Sequence, residues 1–307
     1  MKKYYNISYA RNTGCVVALG CFDGVHKAHT AVISEAVKIA KSNSLPSLVW
    51  SFAEPPKRFY APLSAPILSG KEEKERLIES LGADVLLSIK FDEDIASVDA
   101  EEFFYEYMLH RLRAAHIVCG FNFNFGKGGK GNTELLERLC AENGVGFTAL
   151  PSVMIDGRRV SSSEIRRLLL SGDLEGARDL LGHNYAIIDE VTHGKHLGTG
   201  LGFPTINQKF EAGSCPLAAG VYLTRTEIGK DSYFGITNVG TRPTVEGEGV
   251  VAETNIFDFS GDLYGKTLRV EFLHFMRPET KFSSVDALSK QVHEDIETAK
   301  CLSENYK

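Results

Sequence analysis

The rhythm of apolar residues changes once along this 307-residue chain, near His183, and that change restricts the possible architectures more than any other feature. Before it, short apolar runs alternate with amphipathic stretches. Val16 to Leu19, Ser47 to Phe52, Val85 to Ile89 and Ile117 to Cys119 read as strands. Ala31 to Lys41, Lys71 to Leu81, Ala100 to Arg113 and Thr133 to Asn143 read as helices. This alternation predicts a parallel sheet covered on both faces, because parallel neighbours need a long crossover between them. Ligands of such sheets bind at the carboxyl ends of the strands. A helix over Leu174 to Leu181 leads into the boundary. Beyond it, Val221 to Thr226, Ser232 to Val239, Val251 to Phe259 and Thr267 to Phe275 are rich in β-branched and aromatic residues. Gly, Pro and Asn break them at short intervals, which predicts an antiparallel barrel or sandwich. Ser283 to Cys301 closes the chain as a helix, with Val285, Leu288, Val292 and Ile296 at helical spacing. Two domains follow, 1–183 and 184–307.

Composition removes several function classes. A hydrophobic fraction of 43% is enough for two cores and excludes disorder. The balance of 34 Lys and Arg against 40 Asp and Glu gives net −6, which disfavours a nucleic-acid partner. The six cysteines form no Cys-x-x-Cys pair and read as reduced thiols. Lys2 and Lys3 are followed by an apolar stretch only from Cys15, cut by Asp23, so a strand and turn are expected rather than a signal peptide. No run approaches 18 apolar residues, so no membrane partner is expected and a cytoplasmic location is.

The first strand is followed by Gly20-Cys21-Phe22-Asp23-Gly24-Val25-His26-Lys27-Ala28-His29. Histidines three apart at a helix start share one face, and their ring N–H groups can join the free amides of the helix end around a polyphosphate. A Gly-rich turn with two surface histidines is the alternative. The position directly after the first strand favours the phosphate pocket. Ser161-Ser162-Ser163-Glu164-Ile165-Arg166 enters a later helix, where the serines serve as caps, phosphate ligands or both, and Arg166 supplies charge. Gly120-Phe121-Asn122-Phe123-Asn124-Phe125-Gly126 follows the fourth strand; its aromatics read as core, and Asn122 just past the strand end is able to bond a nucleotide.

The second half opens on glycines at 194, 198, 200 and 202, a loop whose amides can wrap phosphates, although it lacks the P-loop ending. Thr205 and Asn207, two apart on an extended segment, present oxygens to one face and can meet a hard cation. Glu253 stands in a strand otherwise built of apolar and β-branched residues, where alternation puts a lone carboxylate on the solvated face.

The three segments of the first half, in this order, resemble the nucleotidyltransferase module of the bacterial bifunctional riboflavin kinase/FAD synthetases. That family shows Gly-x-Phe-Asp-Gly-Val-His-x-Gly-His, a Gly-x-Asn/Asp-Phe-x-Phe-Gly block and Ser-Ser-Thr-x-x-Arg. Here Ala28 stands where glycine is usual and Ser163 where threonine is. The family's Thr-Phe-x-Pro-His-Pro segment reads Ser51-Phe52-Ala53-Glu54-Pro55-Pro56, without the histidine. The second half resembles the flavokinase barrel through its Gly-rich loop, Pro204-Thr205-Ile206-Asn207, Asn238-Val239-Gly240-Thr241-Arg242-Pro243-Thr244, Glu253, Leu263-Tyr264-Gly265 and Arg277-Pro278-Glu279-Thr280-Lys281-Phe282. Thr199 occupies a place where that family often has arginine.

The resemblance implies a Rossmann-like α/β nucleotidyltransferase domain followed by an antiparallel β-barrel flavokinase domain with a C-terminal helix. It implies phosphorylation of riboflavin to FMN, then transfer of AMP from ATP to FMN, giving FAD and pyrophosphate. By the same carry-over, His26, His29 and Arg166 act on the leaving pyrophosphate with Ser162 and Ser163, while Gly20, Phe22, Asp23 and Asn122 bind nucleotide or flavin. Glu253 becomes the general base for the riboflavin 5′-hydroxyl, Thr205 and Asn207 the Mg²⁺ ligands. Gly198, Gly202, Asn238 and Arg242 become binding residues. ATP is then a substrate, Mg²⁺ the metal, and FMN and FAD the product ligands. A chain retaining one activity, or a flavin-binding regulatory protein without turnover, are the alternatives.

Overall fold

Each face of the strand Cys15–Leu19 meets a different layer. Cys15, Val17 and Leu19 pack with Phe103, Phe104, Met108, Leu136 and Leu139. Val16 and Ala18 pack with Val32, Ile33, Ala36 and Val37. Successive side chains of a strand point oppositely, so a continuous apolar run buries both faces. The computed structural model describes residues 1–61, 66–192, 203–211, 213–244 and 247–306, without the side chains of 242–244 and 247–248. The chain forms two compact units, Met1–Ser162 and Ser163–Lys307.

In the first unit β1 (Lys2–Tyr4), β2 (Cys15–Leu19), β3 (Ser47–Phe52), β4 (Val85–Ile89), β5 (Ala114–Gly120) and β6 (Gly146–Leu150) form a parallel sheet in the order β1-β4-β3-β2-β5-β6. Helices α1 (Lys27–Ser42), α2 (Pro56–Tyr60), α3 (Lys71–Ser80), α4 (Glu93–Ser97), α5 (Ala100–Glu102) and α6 (Thr133–Glu142) lie between the strands. The chain runs from β2 to β3 and β4 on one side, then returns to β5 and β6 on the other. The loops after β2 and β5 therefore flank the switch point of the sheet, where such folds hold ligands.

Three departures from the sequence reading have identifiable physical causes. The helix expected over Ala100 to Arg113 is α5 followed by a π-helix, Phe103–Arg111, closed by Leu112 N to Tyr107 O. Buried Phe103 and Met108 are five apart, and the wider turn brings both to the core. The edge strands β1 and β6 escaped notice because one is lysine-rich and the other only half-buried. Helix α3, spelled almost wholly in charged residues, nonetheless buries Glu73, Lys74 and Glu75, which are 3%, 3% and 6% exposed.

The second unit holds α7 (Ser162–Leu170), whose first residue belongs to the first unit, and α8 (Leu174–Leu181). Then follow β9 (Tyr185–Glu190), β10 (Ile206–Lys209), β11 (Gly220–Ile228), β12 (Asp231–Thr244), β13 (Gly247–Ile256), β14 (Thr267–Pro278) and α9 (Val285–Ser303). The strands pair antiparallel in the order β10-β13-β12-β11-β14-β9. Beyond β9, Thr192 N donates to Asn207 O at 2.8 Å. The two ends of the order thus meet, making a nearly closed barrel and deciding between the two expected all-β forms. β12 and β13 run on as a hairpin through Thr244 and Gly247, in a Gly- and Thr-rich stretch read as a break. Ladder bonds join backbones and need no apolar side chain there.

The barrel interior is partly polar. Thr224, Thr237 and Thr254, each at most 1% exposed, form a hydroxyl chain with both oxygen–oxygen distances 2.8 Å. Outside, Val292, Ile296, Ala299 and Leu302 of α9 cover Val221, Leu223 and Ile236. Val285, expected on this face, is 62% exposed because it is the first residue of the helix, next to the Ser284 cap. Replacing the middle hydroxyl, Thr237→Val, is expected to cost the barrel about 1–3 kcal/mol, the scale for stranding buried partners. Urea unfolding of the barrel transition measures it; a change below about 0.5 kcal/mol would remove the chain from the stabilising interactions.

Candidate active sites

The first candidate is built around the β2 loop, which is held from several sides. Ser51 Oγ of β3 donates to Cys21 O at 2.8 Å. Asp23, 3% exposed, accepts from Leu68 N at 2.9 Å and Ser69 N at 3.3 Å, while Gly24 N donates to Ser69 Oγ at 3.0 Å. Ser162 Oγ reaches Asp23 O at 3.4 Å. Phe22 and Val25 take positive φ of 52° and 36°. A β-branched residue there is strained, and such strain gathers at functional loops. Gly20 is needed for packing, since a Cβ would lie 2.7 Å from the Phe22 ring.

This loop delivers both histidines to the start of α1. His26 is the N-cap and its Nδ1 accepts from His29 N at 3.3 Å, which requires that nitrogen to be unprotonated. The two rings stack with centroids 3.5 Å apart and planes 15° from parallel. The Phe22 ring meets His29 edge-on at 5.3 Å. His29 Nδ1 is buried with no partner. Across the switch point, Asn122 follows β5, exposed, and its side chain makes no hydrogen bond among the described residues. Ser163 and Arg166 follow Ser162 on α7. Residues the sequence did not flag also gather at this end of the sheet. Phe52, Phe59, Tyr60 and Phe91 form an aromatic cluster with centroids 5.1–6.1 Å apart, and Phe59 and Tyr60 are 42% and 64% exposed. Exposed rings beside a strand end are the signal that was available and unread.

The second candidate lies on the outer face of the barrel. Register places Asn207 of β10 opposite Glu253 of β13, and Glu253 opposite Asn238 of β12. Directly opposed side chains on one face stand about 4.5–5.5 Å apart at Cβ, so both amides are within reach of one carboxylate. Asn207 is 7% exposed and its amide has no side-chain hydrogen bond among the described residues; the same holds for the Thr205 hydroxyl. Asn255 Nδ2 donates to Pro204 O at 2.8 Å, holding the approach to Thr205 against β13. On β14, Arg277 binds Asp295 of α9 through its Nε at 2.9 Å and a second nitrogen at 2.6 Å. That clasp went unread in the sequence. Gly198, Thr199 and Gly202 lie outside the described residues, as does the side chain of Arg242.

Burial pushes the thiols of Cys15, Cys119 and Cys140 up to about 12, which favours the protonated form at neutral pH. His29 is held well below the ordinary imidazole range, by burial first and then by the charges of His26 and Lys74. An imidazole depressed in the fold takes up a proton on unfolding as pH drops through its free value near 6.5. Its contribution to stability is therefore complete above about pH 6.5 and is lost in acid. The first unit of the wild type should lose melting temperature more steeply from about pH 7 to about pH 5 than a His29→Gln variant. Circular dichroism melts test this, and equal slopes would contradict it.

A FAD synthetase family model matches residues 8–164 and a riboflavin kinase model matches residues 181–303. The bifunctional riboflavin kinase/FMN adenylyltransferase of Pseudomonas fluorescens is 34% identical over 290 residues, 94% of this chain and 93% of that protein. The Escherichia coli protein of the same name is 34% identical over 298 residues, covering 96% and 95%. The Bacillus subtilis one is 34% identical over 289 residues, covering 92% and 91%. A crystal structure bearing the name macrolide-efflux protein, from Streptococcus pneumoniae, superposes with a TM-score of 0.87 at 33% identity, over 97% of this chain and 98% of that one. Among the described residues of this chain, no helix is long and apolar enough to cross a membrane. With both halves matched in order and relatives aligned over nearly their whole length, the chain belongs to the bifunctional riboflavin kinase/FMN adenylyltransferases, enzymes that phosphorylate riboflavin and adenylylate FMN.

Proposed function

We propose that the two activities are carried by the two candidate sites, in domains divided near His183, with Glu253 as the kinase base and the β2 loop as the pyrophosphate site. The kinase assignment is carried by Glu253 standing between Asn207 and Asn238 on three successive strands. An alcohol is a weak nucleophile until its proton is accepted, and a half-buried carboxylate flanked by amides is suited to that task. The 5′-hydroxyl oxygen of riboflavin bonds to the γ-phosphorus, the bond to ADP breaks, and Glu253 takes the proton. Thr205 and Asn207 are neutral oxygen donors with no described side-chain partner, a set that fits Mg²⁺ shared with ATP phosphates. Bound there, the ion would offset charge on the transferring phosphoryl group. Asn238 holds the flavin alcohol or the carboxylate in register. Gly198, Gly202 and Arg242 are assigned to nucleotide binding by motif alone.

For adenylyl transfer, a phosphate oxygen of FMN attacks the α-phosphorus of ATP and pyrophosphate leaves. Such in-line displacement asks the protein mainly for positioning and charge neutralisation. The assignment is supported by the stacked histidines on the loop after β2, whose ring N–H groups and helix-start amides converge on one end of the sheet. Ser162, Ser163 and Arg166 are assigned to phosphates by their motif, and Gly20, Phe22 and Asp23 to shaping the loop. Asn122 and the exposed rings of Phe59 and Tyr60 are suited to nucleotide and isoalloxazine. We place the enzyme in the cytoplasm, where its ATP is.

Crossed variants test the division of labour. Glu253→Gln should lower riboflavin phosphorylation by about 100-fold or more, the scale of general-base loss, and leave FMN adenylylation intact. His29→Ala should do the reverse. FMN and FAD resolved by chromatography report both reactions at once; kinase turnover retained by Glu253→Gln would remove that carboxylate from the reaction.

A further inference from the structure

Lys74 is a buried cation that neither site has used. It sits in the first turns of α3 and is 3% exposed. Its Nζ donates to Phe52 O at 2.5 Å and Ala53 O at 3.2 Å. The acidic side chains on either side of it in sequence are engaged elsewhere. Glu73 binds Arg76 at 2.7 and 2.8 Å, and Glu75 accepts from Lys3 at 3.1 Å and Tyr5 at 3.0 Å. Among the described residues Lys74 has no carboxylate partner. An ammonium has three donors, and a buried charge without a counter-charge is costly. Here two donors meet carbonyls, and no carboxylate among the described residues pairs with the ammonium.

The location suggests the missing anion. Phe52 ends β3 and Ala53 follows it, at the carboxyl end of the sheet. β3 is hydrogen-bonded directly to β2, whose loop carries the histidines, and Ser51 beside Phe52 holds that loop at Cys21. The Lys74 charge acts on the His29 ring. The segment that Lys74 grips, Ser51 to Pro56, contains no imidazole. We propose that Lys74 is a third member of the first phosphate site, its ammonium fixed by the Phe52 and Ala53 carbonyls so that the remaining N–H meets the pyrophosphate portion of ATP. This rests on reading the β2 loop as the phosphate site.

The test uses the full chain, with inorganic pyrophosphate as the probe in calorimetry and with both activities assayed. Lys74→Gln keeps a donor for the Phe52 carbonyl and removes the charge; Lys74→Met removes both. Lys74→Gln is expected to weaken pyrophosphate binding by roughly tenfold or more, the loss of a charge-assisted contact, and to raise KM for ATP in FMN adenylylation. Riboflavin phosphorylation should be unchanged. Lys74→Arg should recover part of the affinity. A folded Lys74→Gln binding pyrophosphate within about twofold of wild type would overturn the proposal. So would loss of the thermal transition of the first unit in both neutral variants, which would assign Lys74 to fold support alone. His29→Ala in parallel separates the two readings. If it too keeps pyrophosphate affinity, or the wild type shows none, the phosphate site itself is misplaced.

Discussion

Glu253 stands outside the barrel between Asn207 and Asn238 because β13 pairs with β10 and β12 in one register among several conceivable ones. Side chains alternate with period two, so a slip of one residue would send Glu253 inward and turn Ala252 and Thr254 outward. The inward side is where Tyr222 and Phe272 are fully buried, and an unpaired carboxylate there would be strongly disfavoured. Several contacts hold the register. The hydroxyls of Thr224, Thr237 and Thr254 meet only when these strands align. Gln208 Nε2 bonds Asp189 O and Leu268 O, both at 2.8 Å, tying β10 to the far edge of the order. Gly235 admits the close approach of β13, since a Cβ there would lie 2.3 Å from Asn255 O.

A comparable dependence runs through the first unit, with the sheet order in the place of register. β2 lies between β3 and β5, and the loops that follow β2 and β5 come to one crevice although about a hundred residues separate them. The β2 loop is then fixed by buried polar groups: Asp23 on two amides, Ser69 on a third, Ser51 on a carbonyl. Left-handed φ at Phe22 and Val25 costs of order 1–3 kcal/mol each, and those bonds offset it. The stacked imidazoles follow from the same restraint. At 3.5 Å between centroids a second protonated ring would face the first directly, so the pair favours a state with at most one charge.

Much of this was readable in the residues. The α/β alternation, the later run of β-branched strands and the three motif blocks of the first half depend on local patterns, and local patterns survive in sequence. Elements missed or misjudged depend on neighbours far along the chain. The π-helix at Phe103–Arg111 answers the packing of the sheet beside it, and Val285 lost its core place because the last helix begins at Val285, two residues later than expected. A helix spelled Lys-Glu-Glu-Lys-Glu-Arg reads as solvated, so nothing in it announced that Lys74 is buried against β3. The cluster of Phe52, Phe59, Tyr60 and Phe91 joins residues from three separate segments.

By itself the sequence determined the class of each half, the family, and which side chains are chemically able to bind phosphate, hold a cation or accept a proton. These properties belong to residue types, spacings and periodicities, which are features of the chain before it folds. The tertiary structure decided which of those side chains meet: the two imidazoles face to face, Glu253 between two amides, a lysine on the carbonyls of a strand end. Strand order, register and burial are settled by contacts between distant segments, whose energies no local stretch of sequence contains.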